Sequence, residues 1–184
     1  DSPNRLQEHK GAERCSEYLT GVRFYNRFHH MPNQIFVDIC VVGGGSGGLY
    51  VAAGASQMGA DVALIESGKM GGDCLNYGCV PSKALIAAAH TAHTIKSASR
   101  FGIEAAELNI NFEAVHDHIH GVIGKIAPQD SVERFEGLGV KIIKARGRFV
   151  GPTKVQAGDT TVRAKRIVIA TGSRASIPLI RGLD

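Results

Sequence analysis

The glycine pattern between Gly43 and Gly48 constrains the fold of this chain more than any other feature of its sequence. It reads Gly-Gly-Gly-Ser-Gly-Gly, which fits G-x-G-x-x-G, and it follows the apolar run at residues 35–42. Glycines at these spacings permit a tight turn, a close approach of the backbone to a phosphate, and close packing of a helix on a strand. The pattern therefore predicts the strand–turn–helix unit that opens a β-α-β motif.

The segments that follow this pattern agree with it. Residues 48–59 are rich in small side chains and predict a helix, and residues 61–66 predict a second strand that ends at Glu66. The amino end of such a helix offers free N–H groups and a partial positive charge to phosphates. A carboxylate at the end of the second strand accepts hydrogen bonds from ribose hydroxyls. Together these features predict a dinucleotide site.

The rest of the chain has the pattern of an α/β protein. We predict a glycine-rich loop at residues 67–80, helices at 81–99, 112–126 and 129–136, and strands at 140–145, 148–156, 160–166 and 166–170. Residues 1–34 are polar and are predicted to be a leader or linker, irregular or helical, with one helix at 13–28. The fold class expected for residues 35–184 is a Rossmann-like α/β domain: a parallel sheet with helices plus a small antiparallel β-meander.

Composition excludes several classes of protein. The chain of 184 residues is 43% hydrophobic and 21% charged, which is ordinary for a globular domain. Its net charge of +4 comes from basic residues scattered along the chain, a distribution that disfavours a nucleic-acid partner. No apolar stretch is long enough to span a bilayer, and the first residues do not resemble a signal peptide. Four cysteines are too few for a secreted disulfide scaffold, so a cytoplasmic location is expected.

Two of these cysteines, Cys74 and Cys79, lie in the glycine-rich loop at the start of the helix predicted from residue 81. Their spacing is unlike that of a zinc site, and no second Cys or His pair follows to complete one. A structural disulfide is disfavoured by the expected compartment. The helix dipole and Lys83 are expected to stabilise a thiolate and lower the thiol pKa. The pair is therefore predicted to be redox-active.

A cluster of histidines lies on the helix predicted for residues 112–126. His116 and His120 share one helix face at the i, i+4 spacing, with His118 between them in sequence. Such a pair is able to bind a metal, but a polar helix surface is the favoured interpretation. We therefore predict no metal ligand.

The stretch at residues 71–83 reads G-G-x-C-x-N-x-G-C-x-P-S-K. It resembles the signature of the class I pyridine nucleotide–disulfide oxidoreductases, a family that includes dihydrolipoamide dehydrogenase, mercuric reductase and glutathione reductase. The strand that runs into Ala-Thr-Gly at residues 170–172 is similar to the second FAD-contact segment of such flavoproteins. The resemblance extends over residues 35–184. The Pro-Ser-Lys ending is closer to the dihydrolipoamide dehydrogenase and mercuric reductase branches.

The resemblance implies a role for each cysteine and a set of FAD-binding residues. Cys79 would face the flavin, Cys74 would exchange with the substrate, and Lys83 would lie near flavin N5. Asp73 and Tyr77 depart from the family pattern, which commonly has Thr and Val there. The cofactor-binding residues implied are Gly43, Gly45, Ser46, Gly48, Glu66, Ser67, Gly72, Asp73, Lys83, Gly147, Thr171, Gly172 and Ser173.

The resemblance further implies that residues 35–184 form the N-terminal FAD-binding part of a larger, homodimeric enzyme. In that enzyme NAD(P)H reduces FAD, FAD reduces the Cys74–Cys79 disulfide, and the dithiol reduces a small-molecule or protein disulfide, or a metal ion. The NAD domain and the dimerisation domain with its His–Glu pair are expected to be absent, leaving this part inactive alone. Two alternatives stay open: a nicotinamide-independent flavin or thiol-exchange module, and the redox module of a membrane-tethered protein.

Overall fold

The computed structural model of the chain describes residues 33–104, 107–173 and 176–183. The first β-α-β unit lies where the glycine pattern predicts it, as β1 (Asn33–Val42), α1 (Ser46–Gln57) and β2 (Val62–Ile65). The predicted leader and its helix at 13–28 lie outside the described residues, except that Asn33 and Gln34 begin β1.

The remaining elements follow in chain order. The helices are α2 (Gly72–Asn76), α3 (Cys79–Lys96), α4 (Phe112–Ile126) and α5 (Val132–Gly137), with 3-10 turns at Ala98–Phe101 and Ala127–Asp130. The strands are β3 (Lys141–Ile143), β4 (Gly147–Gly151), β5 (Lys154–Ala157) and β6 (Thr160–Ile169). None of the helices in the described part of the chain is long and apolar enough to cross a membrane.

The six strands form a sheet of order β3-β2-β1-β6-β5-β4. The neighbours β3, β2, β1 and β6 are parallel, whereas β4, β5 and β6 form an antiparallel meander. This arrangement confirms the Rossmann-like α/β fold class. The chain passes from β1 through α1 to β2 on one side of β1, and β6 lies on its other side. In an open sheet of this kind, a ligand is expected in the crevice at the carboxyl end of the strand where the order reverses, here β1.

Three local predictions were wrong. Residues 148–156 form two strands instead of one, because Pro152 follows Gly151 and lacks the N–H that a continuing strand would donate. The two strands predicted at 160–166 and 166–170 are the single strand β6. The loop predicted at 67–80 contains α2, and α3 begins within it at Cys79.

Two apolar cores cover the two faces of the parallel sheet, since successive strand residues point to opposite sides. One core joins β1 and β2 to the meander, through Val37, Cys40, Ala63, Ile65, Val155, Ala157, Val162 and Ala164. The other joins the same strands to α1, α5 and the residue before β3, through Val41, Leu49, Ala52, Val62, Leu64, Phe135 and Val140. The domain is thus three-layered, with the meander on one face and helices on the other.

The long helices α3 and α4 pack against each other rather than onto the sheet. Side-chain oxygens at two helix starts accept backbone N–H groups: Asn111 accepts from Ala114 at 3.1 Å, and Ser131 accepts from Arg134 at 3.2 Å. In α3 only Ala84 is buried, and α4 has no buried residue. Most of the surface of this helical pair is therefore exposed or half-buried.

Candidate functional site

The glycine turn between β1 and α1 is closed by contacts that exclude side chains. Gly43 has φ of +112°, and a Cβ there would lie 2.2 Å from the carbonyl oxygen of Ala170, just beyond β6. A Cβ on Gly48 would lie 1.8 Å from the carbonyl oxygen of Gly43. Real Cβ atoms do not come this close to backbone, so both positions require glycine. The turn consequently brings the start of α1 against the carboxyl ends of β1 and β6.

The glycine turn is paired directly with the segment that leads to the cysteines. Gly71 N–H donates to the carbonyl oxygen of Gly44 at 2.9 Å, and Gly45 and Gly71 form a parallel bridge. Gly72 has φ of +57°, and a Cβ there would lie 2.6 Å from Cα of Gly45. Two backbone segments that are distant in sequence therefore touch without intervening side chains. This contact places the predicted phosphate-binding turn beside the predicted redox loop.

Glu66, at the end of β2, already binds backbone on both sides of the crevice. Its Oε2 accepts the N–H of Gly44 at 2.5 Å, and its Oε1 accepts the N–H of Gly68 at 2.5 Å. The sequence predicted that Glu66 accepts hydrogen bonds from ribose hydroxyls, but it did not predict that Glu66 connects the loops after β1 and β2 through these backbone hydrogen bonds. Each carboxylate oxygen has a second lone pair, so the same group is able to accept further hydrogen bonds.

A cleft of about 350 Å³ opens at the carboxyl ends of the parallel strands. Five of the predicted cofactor-binding residues line it together with four others; the full lining is Val42, Gly43, Ile65, Glu66, Ser67, Ala145, Arg146, Gly147 and Thr171. Gly147 is packed among Val42, Ile65 and Val155, where an added Cβ would lie 3.2–3.4 Å from their side chains. The strand ends and the first residue of the meander therefore form one concave surface.

The predicted set of cofactor-binding residues leaves out two basic side chains near this cleft. Arg146 lines it and also lines an adjoining cavity of about 530 Å³ with Gly147, Arg148, Gln156 and Gly158. Lys144 Nζ donates to the carbonyl oxygen of Gly68, which joins the loop after β2 to the segment after β3. In the sequence these two residues are part of the basic run at residues 141–148, which does not by itself indicate a site.

The other predicted cofactor residues do not line this cleft. Ser46 is exposed at the first position of α1, and Lys83 is exposed in the first turns of α3. Gly172 has φ of +67°, and it lies with Ser173 in the segment after β6. Gly45, Gly48 and Gly72 serve the backbone contacts described above.

The two predicted redox cysteines lie on successive helices. Cys74 is half-buried in α2, and Cys79 is the exposed first residue of α3; both are free thiols. The loop around them is closed by Asn76, whose Nδ2 donates to the carbonyl oxygens of Met70 at 3.0 Å and Gly72 at 2.8 Å. The short connection is tightened further by Gly78 N–H, which donates to the carbonyl oxygen of Asp73 at 2.6 Å.

The ionisation of Cys74 differs from the sequence-based expectation. Its pKa is raised, chiefly by a side-chain hydrogen bond with Cys79, then by partial burial and by the charge of Cys79. The charge of Lys83 acts in the opposite direction, as the sequence predicted, but it is a smaller cause. The prediction of a lowered thiol pKa was thus wrong for Cys74, because two thiols that interact closely do not ionise independently.

This coupling gives a testable expectation for the Cys79→Ala variant. Removing the Cys79 side chain eliminates the largest cause of the raised pKa of Cys74 and leaves the charge of Lys83 in place. A lower pKa means more thiolate at neutral pH, so Cys74 should alkylate faster with iodoacetamide, and the midpoint of its rate–pH profile should move to lower pH. The control is Cys40→Ala, which should leave that profile unchanged.

The two departures from the family signature lie on the same loop. A Cβ built on Gly78 would be 2.7 Å from Oδ2 of Asp73, so the Asp73 carboxylate packs on the turn between the cysteines. Tyr77 is 68% exposed, and the Lys69 ammonium lies 5.6 Å from its ring centroid. An anionic group and an aromatic–cation pair thus border the cysteine loop.

Residues 37–184 match the protein family described as pyridine nucleotide-disulphide oxidoreductase. The chain is similar to mercuric reductase of Streptomyces lividans, 37% identical over 80% of this chain and 32% of the relative. It is also similar to dihydrolipoyl dehydrogenase of Bacillus subtilis (strain 168), 35% identical over 74% of this chain and 31% of the relative. Dihydrolipoyl dehydrogenase of Manduca sexta is 36% identical over 85% of this chain and 32% of the relative.

This chain belongs to the pyridine nucleotide–disulfide oxidoreductase family, because the match covers most of its length. The family resemblance expected from the sequence is thereby confirmed. The chain spans about a third of the length of these relatives.

Proposed function

We propose that this chain binds FAD in the cleft at the strand ends and that the flavin exchanges electrons with the Cys74–Cys79 pair. The observation that carries this proposal is the contact between the glycine turn and the cysteine loop, where an added Cβ on Gly72 would lie 2.6 Å from Cα of Gly45. A dinucleotide held at the turn must then extend past the cysteine loop, because the two segments are adjacent.

The residues around the cleft fit a bound dinucleotide. Among the described residues, only Cα of Gly72 lies within 4 Å of a Cβ built on Gly45, and no atom lies within 4 Å of a Cβ built on Gly47. The backbone at the start of α1 is therefore open to a pyrophosphate. Glu66 and Gly147 line the part of the cleft suited to ribose and adenine. The proposed cofactor-binding set is Gly43, Gly45, Ser46, Gly48, Glu66, Ser67, Gly72, Asp73, Lys83, Gly147, Thr171, Gly172 and Ser173.

Bound FAD, once reduced, would supply the two electrons that, with two protons, open the Cys74–Cys79 disulfide to two thiols, with Cys79 as the sulfur next to the flavin. Cys74, as thiolate, then attacks a substrate disulfide, forms a mixed disulfide and releases one substrate thiol. Cys79 attacks the Cys74 sulfur, re-forms the Cys74–Cys79 disulfide and releases the second substrate thiol. Two electrons and two protons pass from the pair to the substrate, so the exchange balances.

For the whole protein we propose that NAD(P)H reduces the flavin and that the electron acceptor is a disulfide, such as that of lipoamide, or mercuric ion. Support comes from the similar proteins named mercuric reductase and dihydrolipoyl dehydrogenase. A cytoplasmic homodimer is part of the same proposal. A nicotinamide-independent flavin or thiol-exchange module and a redox module tethered to a membrane are the alternative hypotheses.

The test is titration of the purified chain with FAD, followed by flavin fluorescence and absorbance. We expect the unmodified chain to bind one FAD saturably and Glu66→Gln to bind it about tenfold more weakly. Both carboxylate oxygens of Glu66 accept a hydrogen bond from a backbone N–H group, and the glutamine amide would place an NH2 donor against one of these N–H groups. Glu107→Gln is the control, since it changes the same charge at an exposed position outside the cleft. Absent binding by the unmodified chain, or equal loss in both variants, would overturn the assignment of the cleft.

A further inference from the structure

His116 and His120 form a close pair on the surface of α4 that the proposed redox function does not use. Their Nε2 atoms are 3.1 Å apart, their ring centroids are 4.4 Å apart, and the rings are tilted by 58°. Both residues are exposed. The two rings are therefore aligned on successive turns of the helix, with their Nε2 nitrogens directed to the same point.

That separation suits two nitrogens bound to one metal ion. Imidazole nitrogens at about 2.0–2.1 Å from an ion are about 2.9 Å apart when they subtend a right angle and about 3.4 Å apart at the tetrahedral angle. The observed distance of 3.1 Å lies between these values. An ion would take the place of the proton that the two rings share, and each ring would then donate a lone pair from Nε2.

The surroundings favour a cation that keeps water ligands. Glu113 and Asp117 precede His116 and His120 by three residues, which is the spacing of neighbours on a helix face, and their carboxylates add negative charge there. No group of three or more metal-ligating side chains is gathered among the described residues. The protein therefore supplies two ligands, and the remaining positions stay open to solvent.

We propose that His116 and His120 form a two-ligand, exchangeable site for a divalent transition-metal ion. Imidazole ligands select Cu(II), Ni(II) and Zn(II), and Cu(II) binds most tightly in the Irving–Williams order. Both ligands come from one helix in its folded form, so ion binding also stabilises α4 by linkage.

The experiment is calorimetric titration with Ni(II) and with Cu(II), after the thiols are alkylated with N-ethylmaleimide so that they do not bind the ions. We expect His116→Ala and His120→Ala each to weaken the strongest binding by about a hundredfold, because the second ligand no longer binds intramolecularly. Thermal unfolding should show the ion raising the Tm of the unmodified chain and not that of either variant.

His118→Ala is the matched control, since His118 lies on the same exposed helix about 200° around the axis from both ligands. His118→Ala should bind Ni(II) as tightly as the unmodified chain does. In both proteins, the electron paramagnetic resonance spectrum of bound Cu(II) should show two equivalent nitrogen ligands. The proposed site would be overturned if all three variants bound the ion equally tightly, or if His118→Ala lost as much metal affinity as His116→Ala and His120→Ala. These results do not depend on FAD binding, so they are separable from a failure of the redox proposal.

Discussion

The Gly48→Ala variant is expected to lose about 3 kcal/mol of unfolding free energy, at the upper end of the cost of overpacking. Its new Cβ would lie 1.8 Å from the carbonyl oxygen of Gly43 and 3.2 Å from Cγ1 of Val41. The nearest atom is backbone in a tight turn and cannot rotate away, so α1 must move off β1. Urea unfolding followed by circular dichroism measures the loss, which should appear as a lower midpoint at unchanged slope.

Gly47→Ala provides the matched control for this expectation. Gly47 precedes Gly48 in the same first turn of α1, and no atom of the residues that the structure describes lies within 4 Å of a Cβ built there. Alanine is favoured over glycine in a helix by about 0.5–1 kcal/mol, so this variant should be as stable as the unmodified chain or slightly more stable. Similar losses in both variants would contradict the claim that close packing at Gly48 sets the turn.

The same glycine illustrates what sequence reasoning was able to predict. The roles of Gly43 and Gly48 follow from local geometry, because a strand, a tight turn and a helix within a few residues leave few ways to pack. The order of the first β-α-β unit and the parallel sheet was predicted on these grounds. The meander was also expected as a set of short strands, although its hairpin at Pro152 was not.

The contact between Gly45 and Gly72 was not predicted, for a different reason. It joins two loops through backbone alone, so no side-chain pattern marks it in the sequence. The two N–H groups bound by Glu66 likewise depend on how the loops after β1 and β2 meet. The raised pKa of Cys74 results from the interaction of its side chain with that of Cys79, whereas the sequence indicated only the helix start and Lys83. Each of these features is set by tertiary packing.

The largest chemical effect is expected from the cysteine pair itself. Cys74→Ser should prevent formation of the mixed disulfide at position 74, because a serine hydroxyl is not ionised at neutral pH and the thiolate is the nucleophile. Any adduct should then form at the exposed thiol of Cys79. Cys79→Ser should still form the mixed disulfide at Cys74 but should release the second substrate thiol at least about a thousandfold more slowly, because the intramolecular attack is lost. Stopped-flow exchange with an aromatic disulfide, combined with mass spectrometry of the trapped adduct, distinguishes the two steps.

Cys40→Ser is the internal control, because Cys40 is fully buried in the core between the sheet and the meander. Burial raises the pKa of Cys40 to about 11, so only about one thiol in ten thousand is ionised at pH 7. Its replacement should lower stability by burying a hydroxyl yet leave the exchange rate per folded molecule unchanged. If Cys79→Ser releases the second thiol as fast as the unmodified chain does, Cys79 does not resolve the mixed disulfide. The assignment of an exchange thiol and a flavin-facing thiol would then fail, even if FAD binds in the cleft.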